Sequence, residues 1–350
     1  MSIANIGAIL FALMRAPRKN DLSKVISLVL IQVSLVSCIG ITASHIPSNS
    51  RLVELVPFEL DRKNPERKQF GSLTFVSAYQ LESKDKRFGG LSGLSIGPDG
   101  KLYAISDHGF WISAKKITNP SGALVDLMDW QIVPMLTTTN TPVTEALRDA
   151  EALALAPDGS FLVAFEGVHR IWRYDPLPAT FESTPLPVAI PADVTRAPSD
   201  GGLEGLTVLP DGRLLALTEE FANPDGSFKG WLIDNGQFAE LSYFPSKGFR
   251  VTDCAALDNG DVLVLERRYV PLGIWSARLA LVDAKSIQSG SKLRGRELLR
   301  LEQPLAVDNF EGVAVQQTSK GTMIYIVSDD NYNPFQQTLL IQFLLPNREN

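Results

Sequence analysis

The 350-residue sequence predicts an all-β fold, a β-propeller of five or six four-stranded blades whose ring is closed by an N-terminal strand. Three observations carry that prediction. One motif occurs five times at a spacing near fifty residues, the length of a four-stranded blade. Each copy has the pattern of an apolar hairpin. No convincing amphipathic helix separates the copies; Leu186–Thr195, for example, holds two prolines.

The copies are GGLSGLSIGPDGKLYAISDHG (Gly89–Gly109), RDAEALALAPDGSFLVAFEG (Arg148–Gly167), GGLEGLTVLPDGRLLALTEE (Gly201–Glu220), RVTDCAALDNGDVLVLERR (Arg250–Arg268) and DNFEGVAVQQTSKGTMIYIVSDD (Asp308–Asp330). A small or acidic residue opens a short apolar strand. In the first four copies a Pro-Asp-Gly or Asp-Asn-Gly turn follows, residues that tolerate positive φ in tight connections. A second apolar strand then ends in an acid. Second strands such as Leu102–Ile105 and Val262–Leu265 are apolar throughout, which implies burial on both faces. Aligning Ser92, Glu151, Glu204, Asp253 and Glu311 gives spacings of 59, 53, 49 and 58 residues.

The segments between copies have room for two outer strands. Trp111–Ile117 and Trp130–Leu136 serve the first blade, and Trp231–Asp234 and Phe238–Phe244 the third, across Asn235-Gly236. Trp275–Val282 follows the fourth copy. After the fifth, only Thr338–Leu344 remains, so Leu73–Leu81 is expected to supply the missing strand and remove the open edge. Residues 51–70 could add a degenerate sixth blade. The domain plan is therefore a signal and linker over 1–45, an extension over 46–69 and one propeller over 70–346. The tryptophans at third-strand positions are expected to pack.

Matching repeat positions in a propeller surround one mouth of the central channel. The first-strand acids Glu151, Glu204, Asp253 and Glu311 thus share a rim with the second-strand acids Asp107, Glu166, Glu219, Glu266 and Asp329. So many carboxylates at close range need a counter-charge. Hard cations with oxygen ligands supply one, Ca2+ before Mg2+ outside the cytoplasm. Glu151, Glu204, Asp253, Glu311, Glu166, Glu219 and Asp329 are the candidate metal ligands, and Glu204, Glu311, Asp107 and Glu266 the candidate catalytic carboxylates. Arg148, Arg250 and Arg267 stand beside them in sequence and suit phosphate oxygens. His108 is a candidate substrate contact or general acid, with a solvent-facing turn residue as the alternative. The alternative for the acids is structural, each bonding backbone N–H groups or arginine to lock neighbouring blades.

Other chemistries find little support. The net charge of −6 argues against nucleic acid as a partner. There is no Gly-x-Ser-x-Gly elbow, phosphate loop or dinucleotide fingerprint. Three histidines and two cysteines are too few for a zinc centre.

The N-terminal region has the pattern of an export signal. Arg15, Arg18, Lys19 and Lys24 precede an apolar run from Val25 to Val36, too short for a comfortable membrane span. Met14 is an alternative start. Leu35-Val36-Ser37-Cys38 resembles the bacterial lipobox, in which Cys38 would carry a lipid and attach the protein to a membrane. Cleavage of an ordinary signal, for instance after Ala43, and an uncleaved anchor are the other readings. All place the remaining chain outside the cytoplasm, in the periplasm or on a bacterial envelope membrane.

Arg87-Phe-Gly-Gly-Leu-Ser-Gly-Leu, Glu151-Ala-Leu, Gly202-Leu-Glu204-Gly-Leu, Leu265-Glu266-Arg267 and Asn309-Phe-Glu311-Gly-Val together resemble the phytase-like esterase family of exported bacterial proteins, over about residues 70–345. The resemblance implies hydrolysis of a phosphoester or ester. A remoter similarity to β-propeller phytases implies Ca2+ on an acidic rim holding phosphate and activating water. Ser92 departs from the pattern, since the first copy lacks the acid. The expected function is metal-assisted hydrolysis of a small phosphate ester. A lactonase or carboxylesterase, and a non-catalytic envelope binding or assembly propeller, are the alternatives.

Overall fold

The computed structural model describes residues 51–271 and 274–347; the signal-like segment and Cys38 lie outside the described residues. Five sheets, antiparallel except for one short parallel pairing at the edge of the third, stand around a central axis. From the axis outward, the first blade is Leu91–Ile96, Leu102–Ser106, Phe110–Thr118 and Leu124–Pro134. The second is Ala150–Leu155, Phe161–Phe165, Arg170–Tyr174 and Leu186–Val188. The third is Leu203–Val208, Leu214–Ala222, Phe228–Asp234 and Gln237–Tyr243, with Lys292–Leu293 added at its edge. Arg250–Ala256, Val262–Val270, Ile274–Val282 and Arg296–Glu302 form the fourth. The fifth begins Asn309–Thr318, Gly321–Asp329 and Leu339–Pro346. Each inner strand packs beside that of the next blade, and the fifth returns to the first.

Closure follows the predicted route. Leu73–Ser83 pairs antiparallel with Leu339–Pro346, with Tyr79 opposite Leu340 and Phe75 opposite Phe343. Residues 51–70 build no sixth blade. Val53–Pro57 instead pairs with the outer edge of Leu73–Ser83, and Gln69–Phe70 adds a short hairpin to it.

The repeated turn has one physical basis. Gly100, Gly159, Gly212 and Gly260 all take positive φ, between 76° and 89°. In front of each, Asp99, Asp158, Asp211 or Asn259 accepts the backbone N–H two residues on, at 3.0–3.1 Å. These side chains hold the hairpin ends and face away from the acidic rim. At Asn235-Gly236 both residues have positive φ, as a two-residue hairpin turn requires.

The core lies between blades. Leu102–Ser106 and Phe161–Phe165 are buried at every position, because their sheets are covered on both faces. Trp111, Trp172 and Trp231 are buried, filling these layers. Trp275 is only partly buried.

Candidate functional site

Every inner strand carries a β-bulge at the same place. The pairing register steps between Leu91 and Gly93, Ala150 and Ala152, Leu203 and Gly205, Val251 and Asp253, and Phe310 and Gly312. The unpaired residues are therefore Ser92, Glu151, Glu204, Thr252 and Glu311. A bulge re-aims its extra side chain, here toward the axis. In four blades the residue that follows is Gly or Ala, because neighbouring inner strands nearly touch; in the fourth it is Asp253. A Cβ on Gly93 would lie 2.9 Å from the Leu153 backbone nitrogen, and one on Gly312 would lie 3.0 Å from Leu94 Cβ.

The second ring follows from the same register. Ser106, Phe165, Thr218, Glu266 and Ser328 pair with, or next to, the residue before the bulge. The next residues, Asp107, Glu166, Glu219, Arg267 and Asp329, take the rim position. Four blades thus place an acid there and the fourth places an arginine.

This corrects two assignments in the fourth blade. Asp253 is not a rim ligand; Thr252 holds its expected place. Asp253 is fully buried and accepts the N–H groups of Cys254 and Val313, both at 2.7 Å, tying the fourth blade to the fifth. Glu266 is not a catalytic candidate either. It is fully buried, pairs with Arg278, and accepts Tyr243 Oη and the Ser246 N–H, the latter at 3.0 Å. For these two acids the blade-locking alternative holds. Side chains alternate with period two along a strand, so a one-residue slip turns both to the opposite face.

The remaining acids converge. Glu151 of the second blade feels the charge of Glu311 from the fifth, and Glu204 of the third feels both. Blades that are not neighbours can meet this way only across the axis. Burial, then the charges of Glu311, Glu166, Asp149 and Asp107, pushes the Glu151 carboxyl well above the usual carboxylate range. Burial, then Glu219, Glu151, Glu166 and Glu311, does the same to Glu204. Asp329 is pushed well up by burial and then by Glu311. Burial raises Glu166 to about 8, opposed by the Gly202 N–H and helped by Glu219 and Asp149. Asp107 rises to about 7 through burial and then Glu311 and Asp149.

Counter-charge is confined to one side. Arg267 bridges Glu219, at 2.9 Å, and Glu311, and Asn309 Nδ2 donates to Glu311 at 2.8 Å. Among the described residues it is the only cation ion-paired with the two rings. This engages Arg267 inside the site rather than leaving it free for phosphate. Arg250 pairs with Glu220, and Arg148 lies 3.9 Å from Glu145. His108 stacks on Tyr332 with centroids 3.9 Å apart, and burial followed by the Arg148 charge lowers its pKa.

The opposite side holds an oxygen-only cluster. One carboxylate oxygen from each of Asp149, Glu151 and Glu166 lies within 4.8 Å of the others. Asp149 lies outside the repeat positions that mark the other acids. Its acidic side chain two residues before Glu151 is visible in the sequence, but its closeness to Glu166 arises from cross-strand pairing, in which the Glu166 N–H donates to the Asp149 carbonyl at 2.8 Å. Hard carboxylate donors suit Ca2+ or Mg2+. Among the described residues, Asp107 Oδ1, buried beside them, has no hydrogen-bond partner, and no hydrogen bond reaches Glu151 or Glu204. The donor set fits a divalent cation, with Glu151 and Glu204 uncommitted.

Other clefts lie away from the rings, around Asp258, Asn259 and Asp261 at the hairpin-turn end. Solved structures of similar shape include a gluconolactonase from Xanthomonas campestris, 9% identical, covering 83% of this chain and 97% of its own, with a TM-score of 0.41. An aldose sugar dehydrogenase from Streptomyces coelicolor is 14% identical, covering 77% and 98%, with a TM-score of 0.43. No curated protein matches the chain in sequence. A sequence model for the phytase-like family, described as having the esterase-like activity of phytase, matches residues 86–332, from just before Arg87-Phe-Gly-Gly to the loop after the fifth blade's second strand, and the chain belongs to that family.

Proposed function

We propose that this protein hydrolyses phosphoric esters at the acidic mouth of the propeller with the help of a divalent cation, Ca2+ first. The observation that supports this most directly is the two-sided ring, with Arg267 neutralising Glu219 and Glu311 and an unneutralised oxygen cluster facing it. Asp149, Glu151 and Glu166 would hold the cation, with Glu204 beside them. A bound cation would supply polarisation of a phosphoryl oxygen and a more acidic water.

The chain's own groups account for the proton traffic. Asp107, raised to about 7, holds a proton near neutral pH and can give it to a leaving oxygen. Glu204, pushed up by burial and its acidic neighbours, holds a proton as well, and would act as a base toward water only after a cation beside it had displaced that proton. Buried walls keep bulk water from levelling these affinities. The basic residues before the apolar run at Val25 support action outside the cytoplasm, with Cys38 the point of lipid attachment if that segment is processed as a lipoprotein signal.

The test is a panel of phytate, an aryl phosphate, a phosphodiester and a lactone, run with Ca2+, Mg2+ and a chelator. Phosphoester turnover that needs the cation and falls at least ~100-fold in Glu204→Gln is expected. Lactone turnover alone would move the assignment to the lactonase alternative. No turnover of any compound with any metal would favour a binding propeller.

A further inference from the structure

Of the four third-strand tryptophans, Trp275 alone is not packed into a blade core. It stands opposite Tyr269 across the fourth-blade hairpin, with ring centroids 4.5 Å apart and planes tilted by 44°. Tyr269 is 54% exposed. Val262–Val270 and Ile274–Val282 are nine residues each, whereas Phe161–Phe165 and Arg170–Tyr174 are five. Arg267 marks the rim on this hairpin, so the aromatic pair rises beyond it.

The pair walls a groove of about 410 Å³ whose floor includes Glu219 and Arg267. The groove therefore opens onto the two rings. Its charges are balanced, since Arg250, Arg267 and Arg268 face Asp200, Glu219 and Glu220. Arg250 is paired with Glu220, and Arg267 with Glu219. Arg268 lies 3.8 Å from Glu302 and donates to Ser276 Oγ at 3.3 Å, and only its buried Nε has no partner among the described residues. An anion would find its cations already engaged. A neutral hydroxylated ring meets carboxylates that accept from its hydroxyls, guanidinium groups that donate to them, and aromatic faces for its C–H side.

We infer that this groove binds a sugar ring, the alcohol part of an ester whose reacting group sits at the adjoining carboxylates. The substrate role rests on the hydrolase reading above; the binding of a sugar does not.

Two measurements on wild type, Tyr269→Ala and Trp275→Ala separate the two. Calorimetric titration with maltose should show binding that weakens about tenfold in each variant. The kcat/KM for glucose 6-phosphate should exceed that for ethyl phosphate at least about tenfold in wild type, and the ratio should collapse toward one in Tyr269→Ala. Tyr269 is exposed, so that variant keeps the fold. Maltose binding that is absent from wild type, or unchanged in both variants, overturns the sugar groove, whereas equal use of the two phosphates by wild type overturns the substrate role. Maltose binding lost in the variants while neither phosphate is turned over supports the groove and sinks only the hydrolase reading.

Discussion

Arg267 of the fourth blade ion-pairs with Glu311 of the fifth, and it stands at the position where the other four blades carry an acid. Its guanidinium also reaches Glu219. Burial alone would lower its pKa, but the charges of Glu311, Glu219 and Glu204 outweigh that and raise it. One cation thus splits a ring of like charges into a neutralised half and an open half.

Removing that cation leaves two buried carboxylates uncompensated. Arg267→Met should cost about 3 kcal/mol, the usual penalty for breaking a buried pair from one side. Urea unfolding measures it. A loss below about 1 kcal/mol would show that the pair does not hold the ring together.

Stability should depend on pH with an unusual sign. Asp107 and Glu166 sit at about 7 and about 8 in the fold, against about 3.9 and 4.3 in an unfolded chain. Their folded values are raised, so between those limits the folded state binds more protons than the unfolded state. Stability therefore falls as pH rises through this window. Without divalent cations, Tm should drop from pH 5 to pH 8. A flat or rising Tm would contradict the raised values.

A cation bound at Asp149, Glu151 and Glu166 should reverse that loss. At 100 times its Kd, a ligand specific for the native state adds about 2.7 kcal/mol. Ca2+ should raise Tm at pH 8, and Glu151→Gln should abolish the rise. An equal rise in that variant would place the cation elsewhere.

Asp253 and Glu204 test the register directly. Asp253→Ala leaves the buried Val313 N–H unsatisfied and should cost about 1–3 kcal/mol. Its folded fraction should turn over substrate as wild type does. Glu204→Gln should behave in the opposite way, with little loss of stability and a large loss of turnover. Matching profiles for the two variants would mean that the bulge does not divide their roles.

Gly312→Ala probes the close approach of inner strands. Its Cβ would lie 2.7 Å from Val327 Cγ1 and 3.0 Å from Leu94 Cβ. Overpacking of this kind costs about 1–3 kcal/mol. Thermal unfolding reports it, and an unchanged Tm would show that the blades can spread at the axis.

The wheel is legible in the residue pattern alone. Five copies of one hairpin, the Asp-Gly or Asn-Gly turns of four of them, and a C-terminal blade short of one strand were enough, because turn chemistry and apolar runs act locally. The same pattern marks most of the converging acids, Glu151, Glu204 and Glu311 among them. The fourth blade is legible only once its strands are paired, where Thr252 and Arg267, not Asp253 and Glu266, face the axis. A bulge inserts one residue into a period-two pattern, and where it falls depends on the partner strand rather than on the letters of its own. Likewise, Asp149 joins Glu166 and Arg267 reaches Glu311 only after separate strands are laid side by side. Charge neutralisation across an axis is a property of the closed ring, and no single repeat contains it.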